Sequence, residues 1–202
     1  MRVAENRIKY ELRMYFYLYM LYAFLGWIYE TVLFSVREQR FVNRGFNFGP
    51  WIPIYGFGAV VIMLAVTFLI GDSCRLRGFN IRPVAVFFLI GVLATLAELV
   101  GSYITENLFG LVLWDYSALW MNFEGRIAPK PSFIFAAGGT FLFYTVQPLG
   151  KRLLDRFSIP VQKKTASALF AIILLDFTAS VVTTAWFPDL VKHPGIMEKK
   201  ER

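Results

Sequence analysis

The chain has 202 residues, a length that suits one domain or two small ones. Hydrophobic residues make up 57% and charged residues only 17%, and the mean hydropathy is +0.53. Because a soluble domain carries about 25% charged residues, this composition excludes an ordinary water-soluble domain and indicates a protein whose solvent is lipid. The net charge of +7 does not predict a nucleic-acid partner, since the 21 Lys and Arg residues are dispersed between apolar segments and form no single basic face.

Five apolar segments predict helices that cross a bilayer. A spanning helix needs about 20 largely apolar residues, and lipid favours helices because every backbone group must be satisfied internally. The predicted helices cover residues 15–36, 51–70, 84–110, 132–148 and 166–186. The predicted fold class is therefore an all-α integral membrane protein, a bundle of about five transmembrane helices in a single transmembrane domain over residues 1–202.

The distribution of basic residues predicts the orientation in the membrane. With five spans and an inner N-terminus, 12 Lys and Arg residues lie inside and 9 outside. The positive-inside rule then places the N-terminus in the cytoplasm of a multi-pass cell-membrane protein. Glu30 interrupts the first apolar segment, which argues against a cleavable signal peptide. The strongest single signal is the basic segment before the fifth helix, which contains Lys151, Arg152, Arg156, Lys163 and Lys164.

A segment rich in Gly and Pro, GFNFGPWIPIYGFG at positions 45–58, leads into the second predicted helix. Gly and Pro interrupt regular helix, yet the segment is too apolar for an ordinary surface loop. Two interpretations are open: a re-entrant segment that lines a cavity, and a stiff aromatic turn at the membrane interface. The residues that define this structural motif are Gly45, Gly49, Pro50, Pro53, Gly56 and Gly58.

Three acidic residues, Glu30, Glu98 and Asp176, fall in the interior of predicted helices. An acidic group at the centre of a span costs about 2.5–3.5 kcal/mol, so each must face protein, be protonated or have a partner. Glu98 shares a helix face with hydroxyl-bearing residues such as Thr95 and Ser102. We expect Glu30 and Glu98 to face each other in a shielded site that binds a substrate or an ion. For Asp176, a functional and a structural role are equally open.

Common catalytic and cofactor motifs are missing from the sequence. There is no GxxxxGK[ST] phosphate loop and no GxSxG nucleophile turn. One cysteine, Cys74, and one histidine, His193, argue against a zinc site. We therefore expect no metal and no cofactor, and ATP-driven activity would require a separate ATPase subunit.

A second unusual segment, WDYSALWMNFEGR at positions 114–126, mixes aromatic side chains with Asp115, Asn122, Glu124 and Arg126. Arg126 has the geometry to bind a carboxylate or a phosphate through two parallel hydrogen bonds. The alternative role is an anchor at lipid headgroups, and an anchor is the commoner role for such a residue.

Several motifs occur in a fixed order: GWIYE at 26–30, GFNFGPWIPIYGFGA at 45–59, Glu98, WDYS at 114–117, Asn122 and GRI at 125–127. As a set they resemble the CmpB-type family of bacterial membrane proteins, whose members are labelled ABC-transporter permeases. The resemblance covers roughly residues 21–127 and implies a multi-spanning transporter component, without a chemical role for any residue. The candidate substrate- or ion-binding residues are Trp27, Glu30, Glu98, Trp114, Asp115, Tyr116, Ser117, Asn122 and Arg126.

Three functions remain open on the sequence. The first is a permease component of a transporter, acting as a homodimer or with a separate ATPase subunit, whose carboxylates and broken second helix form a midplane site. The second is an intramembrane enzyme acting on a lipid, with Glu30 or Glu98 as general base, Asp115 orienting it and Arg126 holding a phosphate. The third is an accessory or scaffold protein. The family resemblance favours the first.

Overall fold

The structure is 75% helical, and the part of the chain that it describes contains five long helices, as predicted. The computed structural model describes residues 2–71, 73–76, 78–109, 111–112, 114–186 and 197–198. The helices are α1 (Arg2–Glu38), α2 (Pro53–Ala65), α3 (Arg82–Phe109), α4 (Pro129–Asp155) and α5 (Ile159–Trp186), and a π-helical segment (Val66–Ile70) continues α2. Each of the five is long and apolar enough to cross a membrane. The predicted fold class, an all-α integral membrane protein, is confirmed.

Several helices extend beyond the apolar segments from which they were predicted. Helix α1 begins at Arg2, where Glu5 and Lys9 form an ion pair one turn apart. Helix α4 continues to Asp155 through Pro148, which removes one backbone hydrogen bond without ending the helix. A hydropathy pattern detects only the apolar part of a helix. Polar turns at the ends of a helix therefore fall outside the predicted segment. The predicted end of the third helix at Gly110, and His193, lie outside the described residues.

Proline marks the beginning of four of these helices. Pro53 and Pro129 are the first residues of α2 and α4, and Pro83 and Pro160 are the second residues of α3 and α5. The proline ring fixes φ near its helical value and lacks an N–H group, which has no partner in the first turn of a helix anyway. The sequence therefore marks these four starting points directly.

Short strands accompany the helices. An antiparallel pair, β1 (Arg75–Leu76) and β2 (Phe79–Asn80), lies between α2 and α3. A second antiparallel pair joins β3 (Leu111–Val112) to β4 (Met197–Glu198). Each strand has two residues, so the described chain remains all-α in class.

Internal contacts divide the chain into two compact units. The first unit comprises residues 1–60 and 147–194, and therefore contains α1, the beginning of α2, the end of α4 and the described part of α5. The second unit comprises residues 61–146 and 195–202 and contains α3 and most of α4. The single transmembrane domain expected from the sequence stays a prediction.

Within the first unit, α1 and α2 approach closely where Gly56 faces Tyr19. A Cβ atom at Gly56 would lie only 2.6 Å from the carbonyl oxygen of Tyr19, so no larger residue fits without a shift of the backbone. Small residues at helix contacts are typical of membrane proteins, because association there depends on close packing. The sequence motif at Gly56 thus has a structural role.

In the second unit, the fully buried residues Val66, Val86 and Ile90 form a cluster, with Leu89 and Phe143 packed against it. Large apolar side chains elsewhere are turned outward: Phe88 is 65% exposed and Leu175 of the first unit is 71% exposed. Such apolar surface would be unfavourable in water. Contact with lipid accounts for it.

Candidate functional site

Glu30 lies on α1 and has a donor on each carboxylate oxygen. Its Oε2 accepts a hydrogen bond from Arg44 Nε at 3.1 Å, and its Oε1 accepts one from Tyr55 Oη at 2.9 Å. The side chains of Arg44 and Glu30 are only 12% and 20% exposed, and the Arg44 guanidinium lies 3.9 Å from the centroid of the Phe34 ring. The cationic partner offsets the cost of an acidic group within a span. Glu30 therefore fixes the position of the chain that follows α1.

Asp176 lies on α5 and accepts three hydrogen bonds from the α1–α2 connection, which we define as residues 39–52. Its Oδ2 accepts from Asn47 Nδ2 and from Trp51 Nε1, both at 2.9 Å, and its Oδ1 accepts from the backbone N–H of Gly49 at 3.1 Å. Hydrogen bonds to an ionised group are about twice as strong as neutral ones. A single carboxylate thus holds the glycine- and proline-rich segment against α5.

Other bonds tie the α1–α2 connection to α1. Trp27 Nε1 donates to Asn43 Oδ1 at 2.6 Å, and the N–H of Ile52 donates to the carbonyl oxygen of Ala23 at 3.0 Å. Asn47 is only 3% exposed. The connection is therefore covered by protein in part, although Phe41 and Phe48 are exposed. Both sequence interpretations allow this, and the depth of the connection in the membrane stays a prediction. The predicted motif residues lie here (Gly45, Gly49, Pro50) or in the first turns of α2 (Pro53, Gly56, Gly58).

Glu98 lies on α3, in the second unit, and differs from the other two membrane carboxylates. Its Oε1 accepts a hydrogen bond from Tyr116 Oη at 2.8 Å. Its Oε2 is buried and has no hydrogen-bond partner among the described residues. The hydroxyl groups on the same helix face bond elsewhere, Thr95 to Ser132 at 2.7 Å and Ser102 to the carbonyl oxygen of Leu99 at 2.8 Å. One oxygen of Glu98 is therefore left to accept a proton or a ligand.

Tyr116 is positioned by the WDYS loop, which we define as residues 114–128. Trp114 stacks on Tyr116 with ring centroids 6.5 Å apart, and its Nε1 donates to the carbonyl oxygen of Arg126 at 2.8 Å. The N–H of Tyr116 donates to the carbonyl oxygen of Gly125 at 2.7 Å. These bonds close the loop and direct the phenol toward Glu98.

The remaining polar residues of the WDYS loop stabilise its turns. Asp115 Oδ1 accepts from the N–H of Ser117 at 2.8 Å, and Asn122 Oδ1 accepts from the N–H of Gly125 at 3.0 Å. Gly125 has φ = +67°, and a Cβ atom there would lie 2.7 Å from Asp115 Oδ1. Both the conformation and the space require glycine at this position. Asp115, Ser117 and Asn122 thus hold the backbone of the loop.

Arg126 is engaged by two carboxylates. It forms ion pairs with Glu106 and, at 3.3 Å, with Glu124, and its guanidinium carbon lies 4.0 Å from the centroid of the Tyr103 ring. Burial by itself would lower the pKa of Arg126, but the hydrogen bonds to Glu106 and Glu124 raise it above its usual value. The side chain is 15% exposed and stays charged. Its role in the described residues is to join the WDYS loop to the end of α3.

The structure divides the candidate residues into two sets. Trp27 and Glu30 belong to the first unit, and the other seven belong to the second, where Tyr116 contacts Glu98 directly. The expected meeting of Glu30 and Glu98 stays a prediction. Sequence reasoning missed Arg44 and Tyr55 as partners of Glu30, and Glu106 as partner of Arg126. Glu106 follows Ser102 by one helical turn, and that spacing was the one available signal.

The described residues include five long apolar helices, with Glu30, Glu98 and Asp176 inside three of them, and these helices define a multi-pass integral membrane protein. A family model described as "Putative ABC-transporter type IV" matches residues 17–181. The chain therefore belongs to this CmpB-type family, and the match extends the resemblance through α4 and most of α5. Searches of curated proteins and of solved structures found no match. The family and the five helices are consistent with a component of a membrane transporter.

Proposed function

We propose that this protein is a permease-type component of a membrane transporter in which Glu98 is the carboxylate that binds a proton or a substrate cation. One observation carries the proposal: Oε2 of Glu98 is buried without a partner among the described residues, whereas Oε1 is held by Tyr116. A buried carboxylate oxygen without a donor is costly. A proton or a cationic group bound to Oε2 removes that cost.

The surroundings of Glu98 suit a site that binds and releases a proton or a cation. Tyr116 donates to Oε1 in either protonation state of Oε2, so the carboxyl group keeps its orientation while the ligand changes. The WDYS loop holds Tyr116 through backbone bonds that do not involve Glu98. An intramembrane carboxylate that is oriented by a fixed neighbour is typical of proton relays and ion paths in transporters.

The sequence also bears on the energy source and on the orientation of the protein in the membrane. No phosphate-binding loop occurs in the sequence, so ATP would act through a separate ATPase subunit. A second copy of the chain is the other candidate partner, since five helices are few for a complete pathway. The basic residues at the end of α4, between α4 and α5, and in the first turns of α5 favour a cytoplasmic N-terminus in the cell membrane.

Infrared difference spectroscopy on the purified protein tests the proposal directly. A pH step should produce the C=O stretching band of a protonated carboxyl group, and Glu98→Gln should abolish that band. Glu38→Gln is the matched control, because Glu38 is exposed at the end of α1 and should leave the band intact. A band that persists in Glu98→Gln would assign the proton to another group and refute the proposal.

Transport is measured on the same variants in liposomes that carry a pH-sensitive dye inside. Wild-type protein should acidify the lumen when a membrane potential is imposed, and Glu98→Gln should lose this flux while Glu38→Gln retains it. If no variant moves protons, isolation of the protein from native membranes should yield an associated ATPase subunit, and ATP should then be required. Equal flux through wild type and Glu98→Gln would contradict the assigned role.

A further inference from the structure

A cavity of about 360 Å³ opens in the first unit, between the first half of α1, the end of α4 and the start of α5. Its size falls in the range of small-molecule sites in proteins, about 300–1,000 Å³. Its lining is almost entirely apolar and includes Leu18, Leu21, Leu153, Phe157 and Val161. An apolar cavity beside a bilayer selects a hydrocarbon ligand, because water gains no hydrogen bonds there.

One end of the cavity is polar and is held in a fixed shape by Gln162, which is only 5% exposed. Its Nε2 donates to the carbonyl oxygens of Leu154 at 3.1 Å and Phe157 at 3.0 Å, and so joins α5 to the end of α4 and the residues that follow it. Its Oε1 accepts from Arg13 Nε at 3.2 Å, and Tyr17 Oη donates to its carbonyl oxygen at 2.7 Å. Arg13 is therefore positioned beside the cavity.

Basic residues also occur around the cavity. Lys151 lines the cavity, and neither Lys151 nor Arg13 forms an ion pair with any described residue. The acidic residues near these cations in the sequence are Asp155, which accepts a hydrogen bond from Tyr10 at 2.8 Å, and Glu11, two residues before Arg13. Three more basic residues flank lining residues and are exposed: Arg156, Lys163 and Lys164. Cations without ion-pair partners among the described residues, beside an apolar cavity, attract an anionic headgroup.

We infer that this cavity binds one acyl chain of an anionic phospholipid, with the lipid phosphate at Lys151 and Arg13. The apolar lining of the cavity suits the acyl chain of such a lipid, and the basic residues suit its anionic headgroup. A free phosphate would leave the apolar lining empty, and a zwitterionic lipid brings a cationic group with its phosphate and therefore no net counter-charge for the cations. The site is separate from Glu98 and does not depend on the role proposed for that residue.

Native mass spectrometry of the full chain in detergent micelles tests this inference with phosphatidylglycerol and phosphatidylcholine as probes. Wild-type protein should retain phosphatidylglycerol in preference to phosphatidylcholine. Lys151→Gln should weaken phosphatidylglycerol retention by about fivefold, the effect of one basic residue at an anionic headgroup. Lys130→Gln is the matched control, because Lys130 is an exposed basic residue at the other end of α4 and should leave retention unchanged.

A second variant tests the apolar half. A Cβ atom at Gly150 would lie 3.1 Å from Leu18 Cδ2 and 3.3 Å from Leu21 Cδ2, so Gly150→Leu places a side chain inside the cavity. It should lower retention of both lipids, and circular dichroism should show wild-type helix content. Equal retention of the two lipids by wild type would overturn the inference, as would displacement of phosphatidylglycerol by inorganic phosphate. Occlusion of this face by a second copy of the chain would overturn it as well.

Discussion

The two compact units use their membrane carboxylates differently. In the first unit, Glu30 and Asp176 have donors on every carboxylate oxygen, and those donors hold the α1–α2 connection. In the second unit, Glu98 has one donor and one buried oxygen without a partner among the described residues. All three residues lie within apolar helices, so location alone does not identify a functional acid. The number of donors that the fold supplies to each oxygen distinguishes them.

The largest effect on stability is expected for Asp176→Ala. This change leaves the N–H groups of Asn47, Gly49 and Trp51 without their acceptor, and each unsatisfied buried donor costs about 1–3 kcal/mol. The free energy of unfolding, measured by SDS titration in mixed micelles, should fall by about 3–5 kcal/mol. Thr178→Ala is the control, because its exposed hydroxyl bonds only to the carbonyl oxygen of Leu174. A small loss in Asp176→Ala would show that the connection is held by other contacts.

Glu30→Gln should have the next largest effect. The variant keeps an acceptor for Tyr55 but removes the charge that pairs with Arg44, and loss of one partner of a largely buried pair should cost about 2–3 kcal/mol here. Arg44→Gln should cost a similar amount. In a double-mutant cycle, the two losses should be clearly non-additive. If the losses of the two single variants simply add in the double variant, the ion pair between Glu30 and Arg44 contributes little to stability. Glu30 would then not be a structural carboxylate of the kind described for the first unit.

Gly125→Ala should destabilise the WDYS loop by about 1–3 kcal/mol, because alanine is strained at φ = +67° and its Cβ would crowd Asp115. Hydrogen exchange should report this as faster exchange of the Tyr116 amide, whose acceptor is the carbonyl oxygen of Gly125. Gly138→Ala provides the contrast, since nothing lies within 4 Å of the added Cβ in that helical position. Unchanged exchange at Tyr116 would refute the prediction.

Glu98→Gln should change the free energy of unfolding least, by less than about 1 kcal/mol, because glutamine still accepts from Tyr116 and no charged partner is lost. The same variant should lose proton uptake. Together with a large loss in Asp176→Ala, this result would sharpen the distinction between structural and functional carboxylates. If Glu98→Gln lowers the free energy of unfolding as much as Asp176→Ala does, the distinction between structural and functional carboxylates fails.

The sequence contains enough information for the helices but not for most partners of the acids. Apolar length and proline at the first turns of α2 and α4 mark the helices locally. The donors to Asp176, by contrast, lie 125–129 residues before it, a separation that no local pattern encodes. Glu98 and Tyr116 are 18 residues apart and were both identified as candidates, since the motifs of the family include them. Their direct contact required coordinates.

The attachment of the α1–α2 connection to α5 restricts how this protein can change shape. Separating α5 from the connection would leave three N–H donors and a carboxylate without their partners, and each unsatisfied buried donor costs about 1–3 kcal/mol. Helix α5 and the α1–α2 connection should therefore move together as one rigid body during any conformational change. Conformational changes in the proposed transport cycle would then be confined to parts of the chain whose polar groups keep their partners in both states.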